Sequence, residues 1–248
     1  MTEPFQLANV ALGFLGLAVA SFTDVRNRTV PNLLVAALLV FAVAYHALMG
    51  SLALMLYGIA VALAIGLALY LLEALASGDA KLFVAIGALV PALPWLQFLP
   101  FPLLLALATI AVAGIYAAIL ALRYGGMFRE TKGVGELAEG DVPVRRFAVK
   151  GGRAREITAP KPLGWLLDPG SALGGLRELY GAMRDSDCVI GLGADGLSTG
   201  EIAVLKRLAA KGRISRRLEL RRTIPLVPSF LVAFALVVLA TYYIYGMR

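Results

Sequence analysis

The sequence contains one cysteine, Cys188, and one histidine, His46. A single cysteine excludes an intrachain disulfide and any Cys-x-x-Cys metal site. Zinc or haem needs more ligands than these two side chains supply, so neither a metal nor another cofactor is expected. Charge is scarce as well, at 16% of residues against a hydrophobic content of 60%, which excludes an ordinary soluble domain. No basic residue precedes the first apolar segment, and Glu3 within that stretch is acidic. That pattern is wrong for a secretory signal peptide, so the segment is expected to remain as a span. Internal repeats and low-complexity tracts are also missing.

What the chain does have is long apolar runs. They fall at about Phe5–Phe22, Pro31–Met49, Leu52–Ala76, Ala80–Leu96, Phe101–Leu122 and Ile224–Tyr245. A helix crossing a hydrocarbon core of about 30 Å needs about 20 apolar residues. The expected fold class is therefore an all-α polytopic membrane protein. It has six transmembrane helices, with a small α+β cytoplasmic insert before the last. Residues 1–122 would hold helices 1 to 5, residues 123–222 the insert, and residues 223–248 helix 6.

The charges set an expected topology. The connections at Met49–Ser51 and Pro91–Pro102 carry no charge. Arg26, Arg28 and Lys81, with the 19 basic residues from Arg123 to Arg222, make 22 of the 23 Lys and Arg residues. The positive-inside rule puts these in the cytoplasm and both termini outside, in a multi-pass protein of the cell membrane. Asp24 then ends the first span and Asp79 begins the fourth, both at the cytoplasmic face. His46 falls near the opposite face, which excludes a Ser-His-Asp arrangement.

Within the insert, Val142–Phe147 and Arg153–Thr158 flank Lys150-Gly151-Gly152, which predicts a β-hairpin with a glycine turn. Ser198-Thr199-Gly200-Glu201 has capping-box spacing and predicts a helix to about Ala210, ended by Gly212. Gly191-Leu192-Gly193-Ala194-Asp195-Gly196 has the glycine spacing of a dinucleotide fingerprint but no surrounding strand–helix–strand unit, and reads as a loop. The basic run Lys206–Arg222 suits either contact with anionic lipid head groups or a solvated stop-transfer flank. It gives no reason to expect nucleic acid as a partner.

Acids at a membrane boundary are costly, on the order of 3 kcal/mol near a helix centre and less at an interface. Four ionisable groups, Asp24, Glu73, Asp79 and Lys81, stand in or beside the apolar runs. Ala20-Ser21 precedes Asp24, and Ala76-Ser77-Gly78 precedes Asp79. Small residues let membrane helices approach closely, so each carboxylate can reach a neighbouring helix. Two carboxylates held together cannot both ionise cheaply. One can take a proton from water while the other, protonated, polarises a peptide carbonyl.

Asp24-Val25-Arg26-Asn27-Arg28-Thr29-Val30-Pro31-Asn32 matches the D-x-R-x-x-x-[IV]-P-N element of type IV prepilin peptidases and archaeal preflagellin peptidases. Gly78-Asp79-Ala80-Lys81-Leu82 matches their second element, G-x-G-D-x-K-L, which names the GxGD intramembrane aspartyl proteases. Ile224-Pro225-Leu226-Val227-Pro228 is similar to the start of their last helix. The first glycine of G-x-G-D is Ala76 here, which resembles the archaeal form, as does an insert before the last helix. The bacterial members carry Cys-x-x-Cys pairs and a methyltransferase activity that one cysteine does not imply.

The resemblance implies removal of short basic leaders from prepilin or preflagellin precursors at the cytoplasmic face. Asp24 and Asp79 would be catalytic, and Arg26, Asn32, Gly78 and Lys81 would support them. Pro91-Ala92-Leu93 is similar to a motif of presenilin-type proteases but falls in an outside loop, away from Asp79. Two readings from other classes stay open at this level. One is a proton-coupled transporter using its intramembrane acids; the other is a non-catalytic scaffold presenting the basic insert.

Overall fold

A computed structural model describes residues 3–27, 29–71, 74–93, 99–124, 129–157, 169–191, 196–221 and 226–245. Arg28, Glu73 and the Ile224-Pro225 pair lie outside these residues, as does most of the Gly191–Gly196 loop. The chain divides into two compact units. The first holds α1 (Glu3–Asn27), α2 (Asn32–Leu48), α3 (Leu52–Leu71), α4 (Ser77–Leu89), α5 (Phe101–Tyr124) and α8 (Val227–Tyr245). The second holds β1 to β6, a short 3-10 turn, α6 (Pro169–Asp185) and α7 (Thr199–Ala210).

Among the described residues, four helices of the first unit are long and apolar enough to cross a membrane: segments Ala8–Arg26, Leu52–Leu71, Phe101–Ile119 and Val227–Ile244. α2 is apolar but has 17 residues. α4 has 13, because the apolar run expected to reach Leu96 stops being helical at Val90, just before Pro91. Proline cannot donate a backbone hydrogen bond, and its ring pushes the preceding residue out of the helical region. The six-span pattern expected from apolar runs thus appears as four full-length helices and two short ones.

α4 is the centre of this unit. Leu82, Phe83 and Ala85–Val90 are all buried. Its closest partner is α3, and the reason is the size of the facing residues. Gly58, Ala62 and Gly66 recur every fourth position and form one stripe along α3. A Cβ added at Gly58 would sit 2.3 Å from the Gly87 carbonyl oxygen, and one added at Gly87 would sit 2.5 Å from the Ala62 Cβ. The two backbones touch with no side chain between them, the packing that small residues permit in membranes. Elsewhere the bundle interlocks by aromatic rings. Phe83 stacks on Phe230 at 5.8 Å, and Phe101 meets Phe234 edge-on at 5.2 Å.

The second unit contains two three-stranded antiparallel sheets, in orders β1-β6-β2 and β4-β3-β5. In the second sheet, β3 (Arg146–Lys150) and β4 (Arg153–Ile157) form the expected hairpin, with Lys150 opposite Arg153. The turn is Gly151-Gly152 at φ 54° and 72°, angles that need glycine. The predicted first strand is split. Val142–Pro143 (β2) pairs with β6 (Arg217–Arg221) in the other sheet, and only Arg146 onward joins the hairpin. β1 (Arg129–Gly133) is the other neighbour of β6, and β5 (Cys188–Ile190) the other neighbour of β3. The capping box opens α7 as expected. Glu201 N–H donates to Ser198 Oγ at 3.3 Å, and Ser198 N–H donates to Glu201 Oε2 at 2.8 Å. α7 then buries Ile202, Leu205 and Leu208 against the unit's own core.

Candidate active site

Asp24 stands in the last turn of α1 and is 8% exposed. Its place is explained by α8. The first N–H groups of a helix have no partner within it. At the start of α8, Ser229 N–H turns back to the Leu226 carbonyl and Pro228 has no N–H to satisfy. Val227 N–H is the donor left over, and it donates to Asp24 Oδ2 at 3.3 Å. A residue on α1 thus caps a helix 203 positions away, and the positive end of that helix favours a carboxylate there.

Asp79 is the third residue of α4 and lies in its first turn, half-buried. The N-cap position is Ala76, whose side chain cannot cap. The start of α4 also favours negative charge. Each carboxylate therefore sits at the positive end of a helix, Asp24 at α8 and Asp79 at α4.

The two sequence elements bearing these acids meet. A Cβ added at Gly78 would lie 3.5 Å from the Val30 Cβ, so the residue before Asp79 packs on the Val30-Pro31 step of the first element. That step has its own local cause. Pro31 is extended at φ −63°, ψ 125° and caps α2, its carbonyl accepting from Leu34 and Val35 N–H. The α1–α2 connection is thus bent across the start of α4. At the other end of the same helices, Asn9 Nδ2 donates to the Leu89 carbonyl at 3.2 Å. α1 and α4 therefore run antiparallel, with Asp24 and Asp79 toward the same end.

The expected supporting residues differ in placement. Gly78 is at this junction. Arg26, Asn32 and Lys81 have exposed side chains at the same end of their helices. Pro91-Ala92-Leu93 lies at the opposite end of α4 from Asp79, with Pro91 and Leu93 buried. Among the described residues, no three His, Cys, Asp or Glu side chains cluster as metal ligands would. Sequence reasoning missed Val227 and Asn9. The signal for Val227 was Pro228, a proline at the first turn of a helix whose neighbour's N–H needs an external acceptor. Asn9 is an amide in the second turn of an apolar helix, where a partner on another helix is required.

Asp24 and Asp79 thus stand toward the same end of α1 and α4, each at the N-terminus of a helix. No curated protein and no solved structure matches the chain. The profile of the type IV leader peptidase family matches residues 11–122, a stretch that includes both acidic elements and all of α2, α3 and α4. Residues 11–122, somewhat under half of the chain, are thus similar to the type IV leader peptidase family, which supports a prepilin- or preflagellin-type peptidase.

Proposed function

We propose that the chain is a membrane aspartic endopeptidase that removes short basic leaders from prepilin- or preflagellin-type precursors, with Asp24 and Asp79 as its catalytic pair. The observation that carries this reading is the packing of Gly78 on Val30 inside the family-matched region, which brings the two acidic elements to one end of one bundle. One carboxylate, ionised, takes a proton from water as the resulting hydroxyl adds to the scissile carbonyl. The other, protonated, donates a hydrogen bond to that carbonyl oxygen. When the tetrahedral intermediate collapses, the leaving amine takes up a proton, the peptide C–N bond breaks and the pair returns to its starting state. Gly78 lies where the α1–α2 connection packs against α4. Arg26, Asn32 and Lys81, exposed at the same end of their helices, orient the substrate.

Six crossings remain the proposed topology, with both termini outside and the insert in the cytoplasm. α4 need not span the hydrocarbon alone, because it is enclosed by longer helices and continues into Val90, Pro91 and Leu93, which are buried. Non-helical backbone is tolerated at membrane depth where protein covers it. The proposed branch is the archaeal form, on the strength of Ala76 and the insert. Asp24→Asn and Asp79→Asn should each abolish leader cleavage of a candidate precursor by purified protein. Near-normal cleavage by either variant overturns the dyad. A transporter would instead place its acids toward mid-membrane, not at one helix end.

A further inference from the structure

The end of the bundle away from Asp79 contains a polar cluster that the hydrolysis does not use. Asn9 of α1 and His46 of α2 are buried, at 5% and 3% exposure. Asn9 Nδ2 is bound to the Leu89 carbonyl. His46 Nδ1 lies 2.8 Å from the Oγ of Ser51, the residue before α3. Asn9 Oδ1 and His46 Nε2 make no hydrogen bond of good geometry among the described residues, although the backbone of Leu89 and Ala88 lies close enough to interact with the ring. Both residues line one cavity of about 40 Å³, together with Tyr45, Val90, Pro91 and Leu93. None of its described lining residues is charged.

An apolar cavity of this size stays dry, but one with inward polar atoms does not. A water occupies about 30 Å³ in the liquid and needs two to four polar partners. This partly open pocket has the volume for at least one. It offers an amide oxygen that only accepts and a ring nitrogen that donates or accepts according to tautomer. We propose that it is a hydration site in which a water bridges Asn9 Oδ1 and His46 Nε2. In the fitting tautomer Ser51 O–H donates to Nδ1, Nε2–H donates to the water, and the water donates to Asn9 Oδ1. The water joins α1 to α2, and the Asn9–Leu89 bond fastens both to the end of α4.

The consequence for catalysis rests on the dyad reading above. Asp24 follows Asn9 by 15 residues, about 22 Å of helix, and Leu89 follows Asp79 by 10, about 15 Å. Pinning antiparallel helices at one end fixes their axial register at the other. Asn9 and His46 are thus positioning residues that act on Asp79 through α4.

The test uses the full-length protein in detergent and follows thermal unfolding. Asn9→Leu and His46→Leu should each lower the midpoint by about 2–5 °C. The double variant should fall clearly short of the sum, because either change removes the shared water. Full additivity overturns the bridge. His46→Gln, whose amide reaches toward the Nε2 position, should keep more of the midpoint than His46→Asn, whose amide reaches only the Ser51 side. The reverse order would assign the effect to Ser51 and also overturn it. In leader cleavage, His46→Leu should lower kcat about tenfold with KM unchanged, and His46→Gln should restore part of it. An unchanged kcat overturns the register role. Failure of the unsubstituted protein to cleave any precursor would count against the protease reading instead, while the unfolding comparison still decides the hydration site.

Discussion

At the residue scale, Asp24 has a structural contact beside its proposed catalytic role, and substitutions separate the two. Its carboxylate accepts from Val227 N–H in a buried setting. Asp24→Asn keeps an oxygen for that donor, so the variant should lose cleavage but unfold near the original temperature. Asp24→Leu strands the N–H and should cost about 1–3 kcal/mol in addition, read as a lower unfolding midpoint. Gly78 is different. It has no positive φ and an added methyl would make an ordinary contact with Val30, so Gly78→Ala should fold normally. Cys188 offers a pH test in the insert. Burial, followed by the negative charges of Asp187 and Glu201, pushes its thiol up from the ordinary value. Less thiolate is then present at neutral pH, so alkylation by iodoacetamide should be slow at pH 7 and accelerate only in alkaline buffer. Asp187→Asn removes one of those charges and should raise the rate at a given pH.

At the scale of elements, the α3–α4 contact is the part of the bundle least able to absorb change. Gly58→Ala drives a methyl into the Gly87 carbonyl, and Pro91 closes the other side. Neither neighbour is a flexible side chain. Overpacking of this kind costs about 1–3 kcal/mol or more, and it would also push α4 from its place beside the α1–α2 connection. Gly58→Ala should therefore lower both the unfolding midpoint and cleavage. An equally apolar change on the lipid-facing side, Leu63→Val, should alter neither, since Leu63 is 54% exposed within the bundle. In the insert, Ser198→Ala removes one half of the capping box and should cost about 1 kcal/mol. The measurement is the insert's own thermal transition in the full chain.

At the scale of the whole molecule, the chain comprises a helical unit of membrane character and a second unit of mixed strands and helices. The proposed topology makes a direct prediction in a Cys188→Ser background. Met49→Cys, between α2 and α3, should react with an impermeant thiol reagent applied from outside intact cells. Arg213→Cys, exposed in the insert, should react only after the membrane is opened. Labelling of both from outside would overturn the assignment of sides.

Much of this was legible in the sequence because it depends on local patterns. The Gly151-Gly152 turn, the Ser198–Glu201 cap and the apolar helices are set by backbone angles, hydrogen bonds a few residues apart and runs of one residue class. The elements around Asp24 and Asp79 could be recognised for the same reason, since each is contiguous. Length misled at α4, where apolar composition ran on past Pro91 but the helix could not. The split of Val142–Pro143 into the other sheet was illegible as well, because strand partners are chosen by residues dozens of positions away. By itself, then, the sequence determined the membrane character, the hairpin, the α7 cap and the two acidic motifs. Only the tertiary structure decided that Val30 packs on Gly78, that α8 takes Asp24 as its cap, and that Asn9 and His46 share a cavity. These are contacts between helices, and helical periodicity says which face is apolar without saying which neighbour covers it.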